Sequence, residues 1–266
     1  MPIDHDRLFK ELIKTFFIDF IVLFFPEVLQ YLDTRSITFV DKEVFTDVTS
    51  GESHEVDLVA KIQFKGQLTY FLVHVEAQST RKPGFARRML RYFGRLYDEH
   101  DIPIYPIVVF SYDTPLNLEG TSHTVEFPGF IVNHFQFKAV QMNKLNWRDF
   151  VKKKNPIAAA FMSKMQIAPE DRIRVKFECL RLMSTLKLNP ARMRMISGFI
   201  DTYIKLTKEE NKLLDQKLET IPNKSRGKFM QIVTSWMEEG IAQGMLAGMQ
   251  KGRTAVSRLQ SSIAVF

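Results

Sequence analysis

Two carboxylates stand inside apolar runs of this sequence. Asp57 lies between Val56 and Leu58 in HEVDLVAKIQF, and Glu76 closes LTYFLVHVEAQ, where it is followed by Ala77 and Gln78. A carboxylate in an apolar strand costs several kcal/mol unless it is paired, protonated or bound to a metal. One divalent cation accounts for both acids, because hard cations take oxygen ligands, usually one or two carboxylates plus waters. Such an ion polarises a phosphate and lowers the pKa of an attacking water, which is the chemistry of phosphodiester hydrolysis. In that arrangement Asp57 and Glu76 are metal ligands and the carbonyl of Ala77 is a further one. Gln78 orients the water or meets the scissile phosphate, and Glu11, on the first helix, is an outer acid. The other reading of the two acids is an ion pair with Lys61 or an arginine. His74, between two valines, reads as a core residue.

The elements that must position these groups follow from periodicity. The two apolar runs flank Lys65-Gly66-Gln67, a hairpin signal. Alternation puts Asp57, Val59 and Lys61 on one face of the first strand, and His74, Glu76 and Gln78 on one face of the second. Residues 4–25 are expected as a helix capped by Asp4 or Asp6, with Leu8, Phe9, Leu12, Ile13, Phe16 and Phe17 as its apolar stripe. A short helix from Pro26 and a strand from Ile37 come next. After the loop STRKPG, the run from Gly84 to Asp101 is an amphipathic helix, with Phe85, Met89, Phe93 and Leu96 on one side and Arg87, Arg88, Arg91 and Arg95 on the other. The run PIYPIVVFSYD, without charge until its last residue Asp113, predicts an interior strand, and residues 121–143 give one or two more.

The expected fold is therefore α/β, a mixed sheet flanked by helices over residues 1–145. Helical segments separated by Pro or Asn-Pro fill residues 146–236. The last part, 237–266, carries Gly240, Gly244, Gly248 and Gly252, every fourth residue. Each glycine costs a helix about 1 kcal/mol relative to alanine. The spacing suits either close helix–helix approach, making a homo-oligomer one expected partner, or a weakly ordered helical tail.

The 266 residues carry a formal net charge of +7, which permits a nucleic-acid partner without demanding one. The lone cysteine, Cys179, excludes an internal disulfide and reads as a buried core residue. The apolar run from Thr15 to Phe25 is interrupted by Asp19 and is shorter than the roughly 20 residues a span requires. No signal peptide is recognisable, so a cytoplasmic protein without a membrane segment is expected.

An acid, a hairpin, then Glu-x-Gln on the next strand, after a helix bearing Glu11, resembles the PD-(D/E)XK nuclease pattern. More closely, HDRLFKELIKTFF, LFFPEVLQYLD, HEVDLVAKIQ, FLVHVEAQS and RMLRYFGRLYDEH resemble, in order, the recombination-promoting nuclease (Rpn)/putative transposase family. The glycine-spaced tail is similar to that family's as well. The resemblance implies a restriction-endonuclease-like core and endonucleolytic cleavage of DNA with Mg²⁺ or Mn²⁺ in recombination. It implies metal ligation by Asp57 and Glu76 and Gln78 in the position of the pattern's lysine. It also implies DNA-backbone contact by the helix bearing Arg88, Arg91, Tyr92 and Arg95, with Arg81 and Lys82 in the preceding loop. Two departures are Val56 where the pattern has proline and Gln78 where it has lysine; members of the family share the glutamine. The rival reading is a protein that keeps the nuclease fold for DNA binding or assembly and has lost catalysis.

Overall fold

The structure, a computed structural model, describes residues 4–40, 44–46, 53–55, 58–65 and 70–219, with side chains omitted for 44–46, 53–55 and 70–78. Asp57 lies outside the described residues, as does the glycine-spaced tail.

The first helical pattern breaks in two. Asp4 accepts the backbone N–H of Arg7 at 3.0 Å and caps α1 (His5–Thr15). Phe16 leaves helical geometry at φ −120° and ψ 39°, and α2 (Phe17–Phe24) resumes after it. The apolar stripe continues across the break, and Phe16, Phe17, Phe20 and Ile21 are all buried. The segment from Pro26 makes only one 3-10 turn.

Five strands form the main sheet: β1 (Thr38–Val40), β4 (Leu58–Gln63), β5 (Tyr70–Gln78), β6 (Ile104–Phe110) and β9 (Lys138–Gln141), side by side in that order. β1 and β5 each run antiparallel to β4 between them, whereas β6 is parallel to β5 and β9 parallel to β6. Two hairpins stand apart from it. One pairs β2 (Val44–Thr46) with β3 (Ser53–Glu55), and the other pairs β7 (Ser122–Phe127) with β8 (Phe130–Gln136). The expected one or two strands at 121–143 are thus three, two in a separate hairpin.

The parallel step from β5 to β6 is made through α3 (Phe85–His100), as a crossover between parallel strands requires. β6 is buried on both faces, which explains its lack of alternation. Ile107 and Val109 join the core under α1 and α2, and Val108 and Phe110 join a second cluster under α3 with Met89, Tyr92 and Leu96.

Beyond Asn146 lie α4 (Pro156–Phe161), α5 (Arg172–Thr185), α6 (Pro190–Tyr203) and α7 (Lys208–Glu219). Both Asn-Pro pairs are helix starts, Asn155-Pro156 inside what reads as one helical run from Asn146 to Met165. Asn155 and Asn189 accept first-turn backbone N–H groups and Pro156 and Pro190 follow in the first turn, where a missing N–H costs nothing. The change of periodicity near 145 does not divide the core. Phe9 of α1 packs on Phe161 at 5.2 Å and Phe199 at 5.0 Å between ring centroids, and one continuous cluster runs from Phe9 through Ala60 and Val109 to Leu218. Cys179 is fully buried, and burial pushes its thiol pKa up. Among the described residues no helix is long and apolar enough to cross a membrane.

Candidate functional site

Glu76, Ala77 and Gln78 are the last three residues of β5, an interior strand. They pair in register with Val108, Val109 and Phe110 of β6. Val108 and Phe110, the partners of Glu76 and Gln78, belong to the cluster that α3 covers. The described ladder to β4 ends at Leu58 and Val75, so among the described residues the backbone of Glu76–Gln78 is paired on the β6 side alone. Leu58 directly follows Asp57 in the chain, as Glu76 directly follows Val75. Lys61 pairs with Leu72, four residues before Glu76, which puts their backbones on the order of 13 Å apart along the strand.

The end of β5 is held from α1, by a residue that periodicity alone assigned only to a possible cap. Asp6 Oδ1 accepts the backbone N–H of Ser79, the residue after Gln78, at 3.0 Å. The contact brings a carboxylate of the first helix to the terminus of the strand bearing Glu76. Glu11 is not that carboxylate. It is exposed on α1, and at 100° per residue it lies on the side away from the buried Phe9, Leu12 and Ile13. The signal for Asp6 was its phase: it flanks the buried stripe of the helix, whereas Glu11 opposes it.

Behind Asp6, helices from the C-terminal region contribute polar groups. Tyr203 Oη and His5 Nδ1 are 2.9 Å apart. Burial pushes the Tyr203 hydroxyl pKa up, and the charges of Asp113 and Asp6 add to this. Lys164 Nζ meets Asp113 Oδ1 at 2.6 Å and lies 4.9 Å from the Tyr203 ring centroid.

The arginines of α3 divide by environment. Arg87 and Arg91 are exposed and Arg88 and Arg95 half-buried. All four line a recess of about 220 Å³ with Tyr92. Arg87, Arg91 and Arg95 are spaced four residues apart, about 6 Å of rise per step, and make a cationic ladder. Tyr92 is 4% exposed and packed in the α3 cluster, so its ring supports the helix and is closed to base stacking. Arg88 is also drawn over Phe85, 4.8 Å from the ring centroid.

The loop before α3 is more constrained than a free basic loop. Arg81 Nε donates to Glu119 at 2.7 Å, and Glu119 also accepts from the Tyr112 hydroxyl at 2.6 Å. Burial, followed by that hydrogen bond, pushes the Tyr112 pKa up. The backbone N–H of Glu119 donates to Gln141 Oε1. Arg81 is therefore already matched by a carboxylate, while Lys82 is exposed beside it. Glu119 could not be foreseen as a partner, being 38 residues from Arg81.

No curated protein and no solved structure matches the chain. The model of the family described as putative transposase, YhgA-like, matches residues 3–186, which runs from α1 to the end of α5.

Proposed function

The chain belongs to this YhgA-like putative transposase family, and on that premise we propose that it is a divalent-cation-dependent DNA endonuclease of the PD-(D/E)XK type. The observation that supports this most is the meeting of three elements at the end of β5. Glu76 and Gln78 occupy the register positions of Val108 and Phe110, Asp6 binds the next backbone N–H, and the arginine-bearing α3 covers that face. With α2 and the separate β2–β3 pair set aside, the order α1, β1, β4, β5, α3 and β6 also agrees with the helix, three strands, helix, strand order of the nuclease pattern.

The donor chemistry fits a hard cation. Asp57 and Glu76 supply carboxylates and Ala77 a carbonyl, and Asp6 has Oδ2 left after Oδ1 binds Ser79. An all-oxygen set suits Mg²⁺ or Mn²⁺. Asp57 and Glu76 would hold the ion, with Asp6 as the nearby outer acid in place of Glu11. When bound, such an ion polarises the scissile phosphate and lowers the pKa of the attacking water.

The protein groups do the rest. Gln78 hydrogen-bonds the water and positions it; its neutral amide leaves phosphate charge to be met by arginines. Arg87, Arg91 and Arg95 bind successive backbone phosphates, contacts that carry no base information, so cleavage has little sequence preference. The breaks so made serve recombination or transposition.

Relaxation of supercoiled plasmid with and without Mg²⁺, by the native chain and by Asp57→Ala, tests the proposal. The native chain should cut only with the cation, and Asp57→Ala should lose at least a hundredfold in rate with an unchanged melting temperature. Undiminished cutting by Asp57→Ala would overturn it. Absence of cutting by the native chain, with DNA binding retained, would favour the catalytically inactive, DNA-binding alternative.

A further inference from the structure

The β7–β8 hairpin is anchored at one end and bare at the other. Near its base Phe135 is 7% exposed and packs on Phe93 of α3 at 5.2 Å. At its tip Pro128-Gly129 makes a two-residue turn in which Gly129 takes φ +78°, a conformation that favours glycine. Around that turn Phe127 is 68%, Phe130 66%, Ile131 62%, Val132 56% and Val125 40% exposed. The bulge where the register shifts at Val125/Glu126 leaves Ile131 and Val132 adjacent on the same strand with both side chains in solvent.

Two phenylalanines of roughly 200 Å² each, two-thirds exposed, plus three half-exposed aliphatic side chains give on the order of 500 Å² of apolar tip surface. This is at the upper end of the largest apolar patch on a typical monomer. It also matches the apolar part, about 57% of about 800 Å², that one partner contributes to a standard-size interface.

Charge selects the occupant. Over residues 122–136 the sole formally charged residue is Glu126, and there is no Lys or Arg, in a chain of net charge +7. A wedge inserted into DNA carries flanking cations that meet phosphates, and a surface that docks on anionic lipid carries Lys or Arg as well. A neutral apolar arm is instead where two copies of a cationic chain meet without bringing their like charges together. We propose that the tip of the β7–β8 hairpin is a dimerisation surface, packing Phe127, Phe130, Ile131 and Val132 against the same residues of a second copy across a two-fold axis. This surface is separate from the nuclease reading of β5 and α3 and stands without it.

Light scattering of the full chain over a dilution series tests the proposal. The native chain should be a dimer that dissociates on dilution, and F127S/F130S should associate at least tenfold more weakly at an unchanged melting temperature. Since Cys179 is fully buried, Ile131→Cys places one accessible thiol at the tip. Oxidation with diamide should then yield a disulfide-linked dimer, whereas Val22→Cys, on α2, should not. A native chain that is monomeric at every concentration, an F127S/F130S variant that associates as tightly as the native chain, or an Ile131→Cys chain that does not cross-link would each overturn it. The cross-link decides the question if F127S/F130S fails to fold.

Discussion

Asp6 and Ser79, 73 positions apart in the chain, are joined by a 3.0 Å hydrogen bond from the Ser79 backbone N–H to the Asp6 carboxylate. It ties the first turn of α1 to the end of β5. A hydrogen bond to a charged group contributes about 1.5–3 kcal/mol, and partial exposure puts this one at the lower end. Asp6→Ala should lower stability by about 1.5 kcal/mol and cut plasmid cleavage at least tenfold. Glu11→Ala should alter neither. Thermal melts and cleavage rates of the two variants check this; the reverse ranking would restore Glu11 to the site.

The arginine ladder makes a quantitative claim about salt. Each phosphate neutralised on duplex DNA adds about 0.9 to the slope of log affinity against log salt. Arg91→Ala should therefore reduce that slope by about 1. Arg81→Ala should leave it unchanged, because Arg81 is matched by Glu119. Equal slopes for all three proteins would remove α3 from the DNA contact.

Asn155 carries more than a helix cap. Its Oδ1 accepts the N–H groups of Ile157 and Ala158, and its Nδ2 donates to the backbone carbonyl of Asp19 at 2.8 Å. Asn155→Ala should cost about 2–4 kcal/mol, from the lost cap and a carbonyl left unpaired. Urea denaturation measures it; a loss below about 1 kcal/mol would mean that the cap alone matters.

Alkaline pH should unfold the protein through its tyrosines. Burial pushes the Tyr105 hydroxyl from 10.0 up to about 12, and Glu27 adds to the shift by its charge and by a hydrogen bond. A pKa raised in the folded state stabilises fully below the unfolded value, and that contribution is lost as the pH climbs through the folded one. Stability should thus fall between pH 10 and about 12. Tyr112 and Tyr203 are shifted in the same direction, so the fall should be steeper than one proton gives. Tyr105→Phe should flatten it. An identical alkaline limb for the variant and the native chain would refute the assignment.

What the sequence reveals about this fold is what depends on near neighbours. The period-2 runs gave the hairpin that ends in Glu76, the period-3.6 run gave α3 with its arginine face, and the Asn189-Pro190 pair marked the start of α6. What it hides depends on pairs far apart. Asp6 and Glu11 are both acids on one helix, and only the phase of that helix against β5 separates them. Arg81 reads as a free cation until Glu119 is folded onto it. Tyr92 reads as one more DNA-facing residue of α3 until β6 arrives to bury it. The boundary near 145 is real as a change of periodicity, but the phenylalanines on either side of it share one core.

That shared core sets an order of events during synthesis. α1 carries Phe9, whose aromatic partners include Phe199, and Asp6, which reaches the end of β5. As the chain leaves the ribosome, α1 waits through about 190 further residues for its cover, so its native seat forms late. A cutting site that relies on α1 would then stay unfinished on every nascent chain until α6 has emerged, and no partly made copy could nick DNA near its own polysome. Ribosome-arrested chains ending before Phe199 should leave α1 open to protease, and chains ending after α7 should protect it.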